Sequence, residues 1–206
     1  MKKVLFLGAH YDDIELGCGG TVFKNRNEWD MTAAIFSSSE LKNEHWDNRP
    51  DTTNLRAVSD RALNFLGINK IETFLFPNSG FDLVRNDIWQ IINSLKKKFE
   101  PDIVFTHHAD THQDHETLHN ETLRNFRSEP VFCYRPHGRD VTEFCPNTFS
   151  VLSEVDVDRK LEALSYYNEI FGERSWFKTV KAEMSVFGIK VDQEYAEGFE
   201  TVRNLI

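Results

Sequence analysis

"VLFLGAHYDDIELGCGG", residues 4–20, decides the fold. Val4 to Ala9 form an unbroken apolar run, as expected of a strand buried on both faces of a parallel sheet. Helix signals follow from about Gly17 to Glu28. A strand that enters a helix through a glycine-bearing turn is often a phosphate cradle. This turn instead holds His10, Asp12, Asp13 and Glu15, whose carboxylates repel phosphate, and the stretch contains no GxGxxG. It is suited to a cation. Acids at a helix start also have a plainer use, capping free N–H groups and complementing the dipole. Gly17, Gly19 and Gly20 read as turn geometry and close helix–sheet packing.

Outward from this turn, strand and helix alternate. Strands are predicted at Met31–Phe36, Ile71–Phe76, Asp102–Thr106 and, short, at Val131–Tyr134. Helices are predicted at Asn54–Leu66, closed by Gly67, at Ile88–Phe99, whose end carries Lys96, Lys97 and Lys98, and from Asp114 to Phe126. Residues 37–50 and 135–148 read as loops, and Val157–Phe171 as one helix. The tail reads as a helix near 175–187 and a strand near Gly198–Val202. This alternation predicts an α/β, Rossmann-like, mostly parallel sheet with helices on both faces, in a single domain spanning 1–206.

The 206 residues are 40% apolar and 28% charged, with a net charge of −9. That is a globular composition with no basic face for nucleic acid. No segment reaches the roughly 20 apolar residues of a membrane span. Cys18, Cys133 and Cys145 are widely spaced and lack a CxxC, which points to reduced thiols and a cytoplasmic protein.

Ligands of open α/β sheets sit beyond the carboxyl ends of the strands. Two histidine–acid clusters fall there: His10, Asp12 and Asp13 after the first strand, and "THHADTHQDH", residues 106–115, after the fourth. Zinc accepts imidazole and carboxylate, and a catalytic site keeps one position open for water. His10, Asp13 and one histidine of the second cluster would supply three ligands, leaving Asp12 as a base. His112 and His115, three apart at a helix start, share a side, so that one can bind metal while the other faces substrate. One of His107 and His108 faces the site, and His119 reads as support behind it. Arg135, His137 and Arg139 would contact substrate or solvent, and His45 reads as loop.

At these residues the chain resembles the LmbE-like, or PIG-L, superfamily of zinc-dependent deacetylases of N-acetylglucosamine compounds. The family's Ala-His-Pro-Asp-Asp-Glu stands here as "AHYDDIE", its His-x-Asp-His as "HQDH" (112–115), and the tail "EYAEGFETVRNL" is similar to a common C-terminal segment. The resemblance implies His10, Asp13 and His115 as ligands of Zn2+ or another divalent metal. It implies Asp12 as general base, His112 as oxyanion stabiliser and proton donor, Asp114 as the carboxylate orienting an imidazole, and Arg56 as substrate-binding. Two departures, Tyr11 for proline and Ser59 for the acid three residues after Arg56, bear on substrate identity. The implied reaction removes an N-acetyl group from an amino sugar, nucleotide sugar or glycan conjugate, releasing acetate and an amine. A homo-oligomer is compatible with it. Two rivals remain: a sugar-binding non-enzyme, and a different metallohydrolase. "DTHQDH" is similar to HxHxDH, but Asp110 replaces the first histidine of that pattern.

Overall fold

The computed structural model describes residues 1–37, 53–135, 143–173 and 176–203. One seven-stranded sheet has the order β3-β2-β1-β4-β5-β7-β6. Its strands are β1 (Lys2–Gly8), β2 (Trp29–Ser37), β3 (Lys70–Phe76), β4 (Ile103–His107), β5 (Val131–Tyr134), β6 (Thr148–Leu152) and β7 (Tyr195–Arg203). The first five pair in parallel, and β7 runs antiparallel to both β5 and β6. The helices are α1 (Asp13–Lys24), α2 (Leu55–Leu66), α3 (Arg85–Phe99), α4 (Gln113–Asn125), α5 (Glu154–Ser165), α6 (Asn168–Phe171) and α7 (Trp176–Ile189).

The alternation along β1 shows why its apolar run is continuous. Val4 and Phe6 pack with Ile14, Val58 and Leu63 of α1 and α2 on one face. Leu5 and Leu7 pack with Ile88, Ile92 and Leu118 of α3 and α4 on the other. The chain is therefore an α/β domain with helices on both faces, as the alternation predicts. Strand order reverses between β1 and β4, which opens a crevice at their carboxyl ends. Gly67 closes α2 in the left-handed region, at φ 111°.

Three elements depart from the sequence reading. First, α1 starts at Asp13, four residues before Gly17, and breaks at Cys18 (φ −146°, ψ 19°). The Glu197 carboxylate of β7 accepts the N–H groups of Gly20 (3.0 Å) and Thr21 (2.7 Å), and so caps the restarted helix. Lys160 of α5 donates to the Leu16 carbonyl and to Glu197, both at 2.6 Å. The glycines allow this close packing: a Cβ on Gly17 would lie 2.1 Å from the Tyr134 ring. Second, the predicted helix over 157–171 is two helices, the first begun earlier by a Ser153–Asp156 capping box. Third, β6 begins at the last residue of the predicted 135–148 loop and runs on where no strand is predicted, because it pairs with β7. The expectations for residues 38–50, His45, His137 and Arg139 lie outside the described residues. Among the described residues no helix is long and apolar enough to cross a membrane.

Candidate metal centre

The turn after β1 is held from both sides. Tyr11, in the place of the expected proline, is buried in the core with α1 and α2, and this anchors the loop without a fixed φ. Asp13 reaches back and accepts the His10 N–H at 2.6 Å. Between them Asp12 adopts φ 102°, a region that costs a non-glycine residue roughly 1–3 kcal/mol. It occupies the N-cap of α1, yet its side chain makes no capping bond. The capping explanation for this acid therefore fails.

The second cluster meets the first across the β1–β4 crevice. His10 Nδ1 lies 3.1 Å from His115 Nε2; Asp13 brings Oδ2 to 3.6 Å from His10 Nδ1 and Oδ1 to 3.6 Å from His115 Nε2. Donors bound to a tetrahedral zinc at about 2.0–2.1 Å stand about 3.3 Å apart, and the His10–His115 spacing of 3.1 Å is close to that. The outer nitrogens are also engaged. His10 Nε2 is 3.1 Å from Asp114 Oδ2, and His115 Nδ1 is 2.8 Å from Asp110 Oδ2. A metal-ligating imidazole commonly makes such a carboxylate contact, which fixes its tautomer. Asp114 in turn accepts the N–H groups of Ser79 (2.6 Å) and Phe81 (3.0 Å), tying the loop after β3 to the cluster.

Among the described residues, two groups of three offer mutually close ligand atoms: His10, His112 and His115, and Asp13, His107 and His115. His112 is committed in part, since its Nδ1 accepts the Asp114 N–H at 3.2 Å as the N-cap of α4. That bond uses the Nδ1 lone pair and leaves Nε2 as the face for a proton. His107 is completely buried, and its Nε2 stands 2.8 Å from Asp13 Oδ2.

Carboxylates set the electrostatics of the cluster. Burial by itself would lower the His10 pKa, but Asp114 and Asp13 outweigh it and carry it up to about 10. Burial also opposes charge on His115, where Asp13 and Asp110 raise the pKa to about 9. Asp12 shifts the other way for a carboxylate: burial, then Asp13 and Glu15, push it well above the usual range. Asp13 lies well below that range despite its burial, because His107 and His115 flank it and His10 and His107 bond it. Burial raises Glu15 to about 7. It stands behind the turn and accepts from Tyr167 (2.6 Å) and Ser59 (3.2 Å).

Of the residues singled out in the sequence, His10, Asp13, Asp114 and His115 contact one another. His112 abuts them, its ring centroid 4.8 Å from that of His10 and 4.7 Å from that of His115. Arg56 is exposed on α2 and pairs with Asp60 at 3.8 Å. Arg135 pairs with Glu183 of α7 at 2.9 Å. His119 donates to or accepts no group of the cluster in its described bonds; its Nδ1 bonds the His107 carbonyl at 2.7 Å. Asp110 is singled out by the sequence only as a mismatch to another motif, although an acid five residues before a candidate ligand histidine is a usable signal. The sequence leaves His107 and His108 as alternatives, and only strand parity separates them.

The family model described as PIG-L: GlcNAc-PI de-N-acetylase matches residues 5–126. "Uncharacterized deacetylase YaiS" of Escherichia coli (strain K12) is 28% identical over 169 residues, covering 79% of this chain and 89% of the relative. Diacetylchitobiose deacetylase of Thermococcus kodakarensis is 25% identical over 225 residues, covering 98% of this chain and 84% of the relative. Among solved structures, GalB, the 4-carboxy-2-hydroxymuconate hydratase of Pseudomonas putida KT2440, shares the fold with a TM-score of 0.80 at 17% identity. That match covers 100% of this chain and 98% of the other. One architecture thus carries different reactions, and the chemistry has to be argued from the site.

Proposed function

The chain belongs to the PIG-L (GlcNAc-PI de-N-acetylase) family, and from that premise we propose that it is a metal-dependent N-deacetylase of acetylated amino sugars or their conjugates. Residues 1–206 act as one catalytic domain, and we place it in the cytoplasm, where Cys18, Cys133 and Cys145 stay free. The observation that carries the reading is the pair of carboxylate–imidazole couples, Asp114–His10 and Asp110–His115, whose inner nitrogens converge beside Asp13.

His10, Asp13 and His115 would hold Zn2+ or another divalent ion. When bound, that ion polarises the acetamide carbonyl and makes water acidic enough to attack near neutral pH. Asp12 is the remaining carboxylate of the turn and has no capping bond, so it is available to take the proton of the attacking water. Having taken that proton, Asp12 can pass it to the departing amine. With Nδ1 accepting from the backbone, His112 presents Nε2–H to the carbonyl oxygen as negative charge develops there. The N–C bond breaks, and acetate and a free amine leave.

N,N'-Diacetylchitobiose enters as a test substrate because a relative's name includes it. Acetate release is to be measured on N-acetylglucosamine, N,N'-diacetylchitobiose and a nucleotide-linked N-acetyl sugar, with metal content by elemental analysis. The expected result is acetate from at least one, and its loss together with metal in His115→Ala. No acetate from any of them, or no divalent metal bound, overturns the reading. Arg56→Ala should raise KM at unchanged kcat if Arg56 grips the substrate; an unchanged KM removes it from the site.

A further inference from the structure

We infer that His107, at the carboxyl end of β4, is a positioning residue for the metal centre: its Nε2–H holds one oxygen of Asp13 and leaves the other for the ion. This rests on Asp13 being a ligand, as proposed above. The two oxygens of Asp13 stand in different environments. Oδ2 lies 2.6 Å from the His10 amide nitrogen and 2.8 Å from His107 Nε2, so two donors occupy it. Each oxygen lies 3.6 Å from one candidate ligand nitrogen, Oδ1 from His115 Nε2 and Oδ2 from His10 Nδ1, so what sets Oδ1 apart is that the two donors fall on Oδ2. A carboxylate saturated at one oxygen offers the other alone, and so binds through a single atom.

A carboxylate oxygen 2.8 Å from a ring nitrogen requires a proton between them, which assigns the Nε2–H tautomer to His107. Ala9 N and Tyr134 Oη approach the same nitrogen only at 3.4 and 3.5 Å. Nδ1 is buried and has no hydrogen-bond partner among the described residues. Packing alone therefore gives no reason for an imidazole here; the ring's polar contribution is the bond to Asp13. Its plane is fixed by stacking on His115, with centroids 4.4 Å apart and planes 14° apart. The His119 bond to the His107 carbonyl holds the backbone beneath it. His107 thus ties the orientation of one candidate ligand, Asp13, to that of another, His115.

The competing role is direct ligation, since Asp13, His107 and His115 also form a group that could hold an ion. Two substitutions separate the roles. His107→Leu keeps bulk and deletes the donor. His107→Gln keeps an N–H that can reach the same oxygen but is a poor zinc ligand. Zinc affinity is to be measured by chelator competition, with folding checked by thermal denaturation. Loss of a carboxylate–imidazole partner typically weakens metal binding about 10–100-fold, the effect expected for His107→Leu; His107→Gln should stay within about threefold of wild type. Equal affinity in wild type and His107→Leu overturns the inference alone. Equal weakening in both variants also overturns it, in favour of ligation or bulk structure. Wild-type protein that binds no zinc overturns the metal centre and this inference together. Nitrogen NMR of the zinc-loaded wild type reads the role without any substitution: a protonated Nε2 on His107 supports it, and a metal-coordinated His107 nitrogen overturns it.

Discussion

Asp12→Asn separates the proposed general-base role from every structural use of the same residue. Three observations set the expected size. The side chain makes no capping bond, so the usual loss of about 0.5–2 kcal/mol for removing a cap does not apply. The backbone at φ 102° is entered by asparagine at least as readily as by aspartate. The carboxylate is disfavoured by burial and by Asp13 and Glu15, so an uncharged amide relieves repulsion instead of adding it. Stability should therefore hold or rise. A gain of 1 kcal/mol would appear as about 2–4 °C in Tm for a chain of this size. The amide cannot accept the water proton, so kcat should fall by roughly 10²–10⁴-fold, the usual worth of a general base. That is about 3–5 kcal/mol of barrier. The assay is acetate release on the best N-acetyl sugar, with zinc content and thermal denaturation measured on the same preparation. Asp13→Asn is the control: it should lose zinc affinity and recover part of its activity in excess zinc. The reasoning is refuted if the phenotypes are exchanged, with zinc lost from Asp12→Asn and kept by Asp13→Asn, or if Asp12→Asn retains full kcat.

Two more outcomes follow from buried charge. His10 and His115 are raised from 6.5 to about 10 and 9, and Glu15 from 4.5 to about 7. Groups raised in the folded state stabilise it fully below their unfolded values and lose that contribution as pH rises through the folded ones. In chelator, Tm should fall from pH 7 to pH 10, while the zinc-loaded protein should lose less because the ion replaces the two imidazole protons; a flat profile in chelator would refute the assignment. Glu197→Gln leaves Lys160 as a buried charge without its carboxylate, both side chains being only 3% exposed, and should cost about 3–5 kcal/mol in urea unfolding. Lys160→Met added to it should recover much of that loss, and a cost below about 1 kcal/mol for Glu197→Gln alone would show the pair is dispensable.

What the sequence determined by itself is whatever depends on near neighbours along the chain. The apolar run Val4–Ala9, the glycine that closes α2 and the lysines that end α3 are local signals, and they were enough to order the strands and helices through Tyr134. Placement of both histidine–acid clusters followed too, since loops after parallel strands open on one sheet edge. The tertiary structure alone decided what depends on distant groups. β6 exists because β7 offers it hydrogen bonds. The break in α1 survives because Glu197 and Lys160, far along the chain, satisfy its freed backbone groups. His107 rather than His108 meets Asp13 because Ile103, Phe105 and His107 alternate onto the face that α1 covers. Every residue of that stretch is buried or half-buried, so hydropathy could not tell the two faces apart; the register of β4 in the folded sheet does.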